Sequence, residues 1–246
     1  MSLLTIVQAA CDRLGIARPS VVMASTDDTI RVMRALANQE GRELAARATW
    51  QRLTLRTSFT TLAQQAQTGA VPADFSRFVP DTAWNETRRL PMNGPLEPHE
   101  WQAMAVNENG ADSNLYYRVR GNDFLLLPTP SADDTISFEY VSAYWVDTDA
   151  DGLGEADAWA ADTNTSLLSE ELLTMGIVWR WLKRNRLQFA DEFAEYVANV
   201  SQAIGRDGGR RTINMGGGPR DDRAPGTNGT HSAFTWGGLT GMWDEI

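Results

Sequence analysis

Five prolines, Pro72, Pro80, Pro91, Pro95 and Pro98, fall between residues 72 and 98. Proline locks φ, lacks a backbone N–H and pushes the residue before it out of the helical region. No long helix or central strand can cross that stretch, which must be built from short extended pieces and turns. On either side, apolar residues recur at three- and four-residue spacing, the period of an amphipathic helix. The expected class is therefore α+β: helices at both ends of the ordered chain, and short strands between them.

The N-terminal pair reads clearly. Ser2 can cap a helix carrying Leu3, Ile6, Val7, Ala10 and Leu14, closed by Gly15, with Pro19 beyond. Ser25 followed by Asp28 resembles a capping box opening a longer helix to about Ala48. Its apolar stripe is Ile30, Met33, Leu36, Ala37, Leu44 and Ala48, with Gly41 as a tolerated weak point.

From Trp50 the period shortens to alternation, with Leu53 and Leu55, then Phe59 and Thr61, reading as strands. Trp84 sits in another strand-like piece. Pro98 suits the first turn of a short helix bearing Trp101, Met104 and Ala105. Segments 115–120 and 123–127 flank Gly121-Asn122, a dipeptide suited to a two-residue hairpin turn. Residues 135–141 alternate cleanly, and that strand is open to extension as far as Val146.

Residues 147–162 are acidic and contain no lysine or arginine. Helical period returns from Leu167 to Arg186, with Leu172, Leu173, Met175, Gly176, Trp179 and Leu182 on the buried side. Glu170 and Glu171 open this helix and Lys183, Arg184 and Arg186 end it, the order the helix dipole favours. A last helix, Phe189 to Ile204, places Phe189, Phe193, Val197, Val200 and Ile204 on one face and ends at Gly205. There is no internal repeat. The expected organisation is a helical bundle from residues 1–48 and 163–205, an inserted β-rich subdomain at 49–146, an acidic loop at 147–162 and a flexible Gly-rich C-terminal arm at 206–246.

The arm holds half of the chain's twenty glycines yet ends in Phe234, Trp236, Met242 and Trp243. So glycine-rich a stretch cannot bury enough apolar surface to offset its own ordering. Large aromatics on a long spacer suit contacts in which a partner supplies the surface. The alternative is a frayed terminus folding back on its own body.

Bulk properties narrow the classes. No apolar run approaches membrane-spanning length, and the N-terminus breaks its apolar residues with Gln8, Asp12 and Arg13, unlike a signal peptide. The single cysteine, Cys11, sits among apolar helix neighbours and reads as a small buried hydrophobe. A net charge of −10 argues against a surface-wide nucleic-acid clamp. Arg31, Arg34, Arg42 and Arg47 share one helix, but Glu40 and Glu43 interleave with them, as on a solvated face. Nine tryptophans exceed what a core of this size demands, leaving some for contacts between chains.

Chemistry is sparse. Asp147, Asp149 and Asp151 followed by Gly152 match the first half of a calcium loop, and Glu155 falls at its ninth position. The twelfth position, where a bidentate glutamate should close the shell, is Ala158, so this is a weak calcium candidate beside the plainer reading of a solvated acidic turn. Asp157 or Asp162 could substitute for the missing ligand. His99 and His231 lack a neighbouring nucleophile and carboxylate at a familiar spacing. Gly216 to Gly218 are followed by Pro219 rather than a phosphate-binding lysine. No catalytic residue and no cofactor is expected.

Residues 161–173 with Gly176 to Lys183, the opening Leu3 to Gly15, Trp50 to Leu53, Phe59 with two threonines, Val71 to Arg77, and Gly94-Pro95-Leu96 with Trp101 follow one another in a familiar order. Over most of residues 1–205 the chain resembles head-to-tail adaptor proteins of tailed bacteriophages. One departure is Ser169, where a proline is expected before the glutamates. The resemblance implies a helical bundle with a β-rich insertion and no substrate chemistry. It implies copies forming a ring, usually twelvefold, beneath the portal protein, with a tail or nozzle protein below. The C-terminal arm would reach the portal or a neighbouring subunit through Phe234, Trp236, Met242 and Trp243. Genomic DNA would pass an acidic channel without specific binding, no membrane would be involved, and the protein, made in the bacterial cytoplasm, would reside in the virion neck. The competing expectations are a calcium-dependent or carbohydrate-binding virion module, and a tail-associated hydrolase using acidic residues.

Overall fold

Helix α1 (Leu3–Leu14) begins where extended Ser2 accepts the Thr5 backbone N–H, and ends at Gly15 in the left-handed region, φ 67°. Both signals stand in the sequence. The computed structural model describes residues 2–106, 114–121 and 123–208. Helix α2 (Asp28–Arg47) starts two residues later than a Ser25 cap would place it. Asp27 caps it by accepting the Thr29 N–H at 2.7 Å, while Ser25 Oγ accepts the N–H of Asp27 and shapes the approach.

A single 3-10 turn, Gln51–Leu53, takes Leu53 out of the expected strand and leads into β1 (Thr54–Thr60). Short pieces follow, as the prolines require: β2 (Ala66–Thr68), β3 (Phe75–Phe78), β4 (Trp84–Asn85) and β5 (Leu90–Pro91), then helix α3 (Pro98–Val106). Strands β6 (Tyr116–Arg120) and β7 (Asp123–Leu127) form the expected hairpin, Arg120 opposite Asp123. Strand β8 (Thr135–Ser142) stops at Ser142 and does not reach Val146, because Ser142 Oγ accepts the Tyr144 N–H and turns the chain. Val146 belongs instead to β9 (Val146–Asp147), paired with β10 (Thr165–Ser166). That pairing delays the next helix, α4 (Glu170–Arg184), beyond the expected Leu167, and left-handed Arg186, φ 59°, follows its end.

The fold is mixed α+β. Strand β8 is the spine of a five-stranded antiparallel sheet, pairing with β1 along its whole length and with β3 and β4 on its other edge, with β5 outside β4. Strands β2, β7 and β6 make a second antiparallel sheet. Between the two, Phe124 stacks on Tyr117 at 5.2 Å and on Phe138 at 5.4 Å, with Phe59 and Phe78 against its edges. Leu125 and Leu127 point the other way and meet Trp101 of α3. Strand β7 is thus covered on both faces, which explains why its sequence is a continuous apolar run rather than an alternation.

A separate core gathers the helices. Helix α4 packs against α1, α2 and α5 (Ala190–Asp207), and every residue from Leu172 to Arg180 is buried. Trp145 and Trp159 from the segment around β9 complete this core, edge to face at 5.1 Å. Helix α5 corrects one expectation and narrows another. It runs through Gly205 to Asp207, whose carboxylate accepts the Gln51 N–H at 2.8 Å and holds the last turn in place. Its fully buried residues are Tyr196 and Val200, whereas Phe193 and Val197 of the expected stripe are each 39% exposed. The β sheets join the helices through Arg77 of β3, whose guanidinium donates to the Ala46 carbonyl at 3.2 Å and the Ala48 carbonyl at 2.5 Å. A cation there satisfies carbonyls that the end of α2 leaves free.

Gly41 is not the weak point its helical position suggests. The ring of Trp145 lies so close that a methyl group at Gly41 would sit 2.1 Å from its Cη2, and one at Gly176 would sit 2.2 Å from Cδ of Glu40. Both glycines permit close approach. Alanine has the better helix propensity, yet Gly41→Ala and Gly176→Ala should each destabilise the protein by about 1–3 kcal/mol through overpacking. The check is a lower urea midpoint at unchanged slope.

Candidate interaction surfaces and the acidic loop

The acidic segment folds into a turn closed by its own backbone. Asp147 is buried, and its two carboxylate oxygens accept the N–H groups of Ala150 at 2.6 Å and Gly152 at 3.0 Å. Burial of Asp147 opposes ionisation, but these bonds and one from Thr165 outweigh it and hold the carboxyl below its usual range. Glu155 accepts from both the backbone and the hydroxyl of Thr148, at 2.6 and 3.0 Å. Asp147, Asp151 and Glu155 each bring one oxygen within 4.8 Å of the others. Asp149, the fourth candidate calcium ligand, is not part of that group and accepts a long bond from the Thr148 hydroxyl. The loop's own donors close the turn without a cation, and three carboxylates with Ala158 at the closing position fall short of a calcium shell of six or more oxygens.

The expected solvated face of α2 is corrected at Glu40, which is wholly buried. One oxygen accepts Arg180 Nε at 2.7 Å and the other accepts the Tyr196 hydroxyl. Arg180 also reaches half-exposed Glu43 at 2.6 Å and lies over the Trp179 ring, 4.4 Å from its centroid. Burial together with the Glu40 carboxylate pushes the Tyr196 hydroxyl well above its normal pKa. For Arg180, burial works against the charge, but the bonds to Glu40 and Glu43 prevail and raise its pKa. One glutamate, one arginine and one tyrosine thereby tie α2, α4 and α5 together. A glutamate between helix arginines carries no sign of this in sequence. The available signals were Gly176, one helix away, and an arginine inside an otherwise apolar run.

The remaining helix arginines are each engaged locally rather than pooled into a basic patch. Arg31 pairs with Asp28, Arg34 donates to the Met23 carbonyl, Arg42 meets Asp157, and Arg47 lies 5.5 Å from the Tyr196 ring centroid. Cys11 is buried with its sulfur 3.4 Å from that of Met33, and burial, with Asp12 and Asp27 nearby, pushes its thiol pKa up. His99 is exposed on α3. His231 and the arm aromatics Phe234, Trp236, Met242 and Trp243 lie outside the described residues.

Of the described tryptophans, Trp84 is the one left substantially open, at 43% exposure. It stands on the outer face of the five-stranded sheet, opposite Ser137. Arg56, Glu86 and Glu139 border the same open groove, and Arg56 pairs with Glu86. An aromatic ring beside hydrogen-bonding groups can stack on a sugar or on a protein side chain.

The family model for the SU10 adaptor protein matches residues 1–221 of the chain, a span that includes every described helix and sheet. The chain belongs to the SU10 adaptor protein family. No curated protein matches it. The SU10 adaptor family is one of phage head-to-tail adaptors and not a known enzyme family, so this adaptor is a structural protein of the virion neck, with portal and tail proteins as its partners in general terms. Among the described residues no helix is long and apolar enough to cross a membrane.

Arg180→Ala should strand the Glu40 charge in the core of the adaptor and cost about 3–5 kcal/mol, measured by denaturant unfolding, whereas replacing Glu40 and Arg180 with leucine and Tyr196 with phenylalanine together should cost much less. Millimolar calcium should leave the thermal midpoint equal to that in chelator, because a real site would raise it by mass action.

Proposed function

We propose that this adaptor forms a ring, of twelve copies, beneath the portal and joins the capsid to the tail. In this reading residues 1–48 and 163–205 make the body of the ring, residues 49–146 project from it, and residues 206–246 act as an arm. The arm docks on the portal or a neighbouring copy through Phe234, Trp236, Met242 and Trp243. The single observation carrying this reading is the family match over residues 1–221. Physical reasoning agrees with it. A ring is a head-to-tail assembly in which one patch meets a different patch on the next copy until rotation closes. An arm adds effective concentration to weak contacts repeated around the ring. A chain of net charge −10 repels DNA phosphates and lets the genome slide.

The carbohydrate-binding alternative keeps one geometric support, the groove beside Trp84. The calcium-dependent alternative has a turn whose oxygens already have donors.

The test is electron microscopy of purified portal mixed with the full chain. Beside it go a chain with Phe234, Trp236, Met242 and Trp243 changed to alanine, and one ending at Gly208, which keeps the Asp207–Gln51 bond. The full chain should place a ring on the portal, and the two variants should attach weakly or not at all. Equal attachment by all three would remove the arm as the anchor.

A further inference from the structure

Two exposed leucines stand in surroundings of opposite charge. Leu153, 59% exposed, lies in the acidic segment among exposed Asp149, Asp151, Glu155 and Asp157. Leu187, 49% exposed, follows Lys183, Arg184 and Arg186 at the turn between α4 and α5. Phe193 and Val197 are also exposed on α5, but beside Asp191, Glu192 and Glu195, so the basic patch itself ends at Leu187. Beneath Phe193, the ring of Trp179 packs edge-on at 4.9 Å, and its buried indole N–H has no acceptor among the described residues. Neither Lys183, Arg184 and Arg186 nor Asp149 and Asp151 form an ion pair among the described residues.

Residues 157–159 of the acidic segment and the α4–α5 pair lie on opposite flanks of α2. Asn38 accepts the Trp159 N–H, Gly41 faces Trp145, and Arg42 meets Asp157, so the acidic segment covers this side. Glu40 and Glu43 meet Arg180, and Glu40 meets Tyr196, so α4 and α5 cover the other. At about 100° per residue, positions 38, 41 and 42 point away from positions 40 and 43.

We propose that the basic corner of α4–α5 on one copy docks on the acidic Leu153 loop of the next. The occupant of each surface is a second copy of this chain, and the proposal rests on the ring reading above. Charge complementarity is its argument. Chains of net charge −10 repel one another overall, so association between copies needs a local positive surface facing a negative one. Each charged patch carries an apolar centre to be covered, and the two are different surfaces of the chain, as a heterologous contact requires.

The experiment uses the full chain with portal, ring occupancy being counted by electron microscopy. Lys183→Glu with Arg184→Glu should reduce occupancy roughly tenfold, as should Asp149→Lys with Asp151→Lys, and an equal mixture of these two variants should regain occupancy, because alternating copies again pair opposite charges at every contact. A chain carrying all four substitutions should recover to within about threefold of the natural sequence, because every interface is again complementary. All these positions are exposed, and unchanged circular dichroism and melting confirm folding. If the natural sequence forms rings and the reversals leave them intact, or if the fourfold chain stays as poor as its parents, this interface is overturned while the ring survives. If the natural sequence forms no ring on the portal, the ring reading and this interface fall together.

Discussion

The buried carboxylate of Glu40 sets terms for the whole helical half of the molecule. Taking a charge out of water costs several kcal/mol unless geometry and hydrogen bonds compensate. Arg180 and Tyr196 supply that compensation from two other helices, which fixes how far each may rotate. Gly176 must lack a side chain to leave room for the Glu40 carboxyl, and α4 can therefore approach α2 closely. With Tyr196 and Val200 at the centre of the buried face of α5, Phe193 and Val197 fall on its two margins and stay partly exposed. An electrostatic requirement in the core thus determines which apolar residues remain on the surface.

That chain of causes explains which parts of the fold were legible in sequence. Element type followed from local signals: Ser2 and Gly15 bound α1, prolines chop the middle of the chain, and Gly121 marks the hairpin. Strand β8 showed its alternation because one of its faces meets the aromatic core while the other carries Ser137 and Glu139. Boundaries failed where a distant group decided them. Helix α5 outlasts Gly205 because Asp207 is held by Gln51, 156 residues earlier. The facing of α5 was legible, since Phe189, Val200 and Ile204 of the expected stripe pack on the helical core, but periodicity cannot see the tyrosine that a buried glutamate recruits to that face.

The candidate sites divide along the same line. The acidic loop was visible as composition, but its meaning depended on where backbone N–H groups would point. Ala150 and Gly152 donate to Asp147, so the alternation of carboxylates also serves turn chemistry of the Asx type, which spacing alone does not show. The family likeness, spread over short motifs in order, coincides with the match over residues 1–221. Those motifs include the start of α1, the 3-10 turn with β1, and α4, which are contact elements of the two cores. A structural adaptor of this kind is recognised by how its scaffold is packed, not by reactive groups.

The bond from the Gln51 N–H to the Asp207 carboxylate joins the last turn of α5 to the point where the chain leaves the helices for the strands. Arg77 of β3 grips the end of α2 from the next position along, through Ala46 and Ala48. Together they form a mechanical junction. A pull on the chain beyond Asp207 would therefore meet this bond, at the start of the strands, before it reached the inner turns of α5.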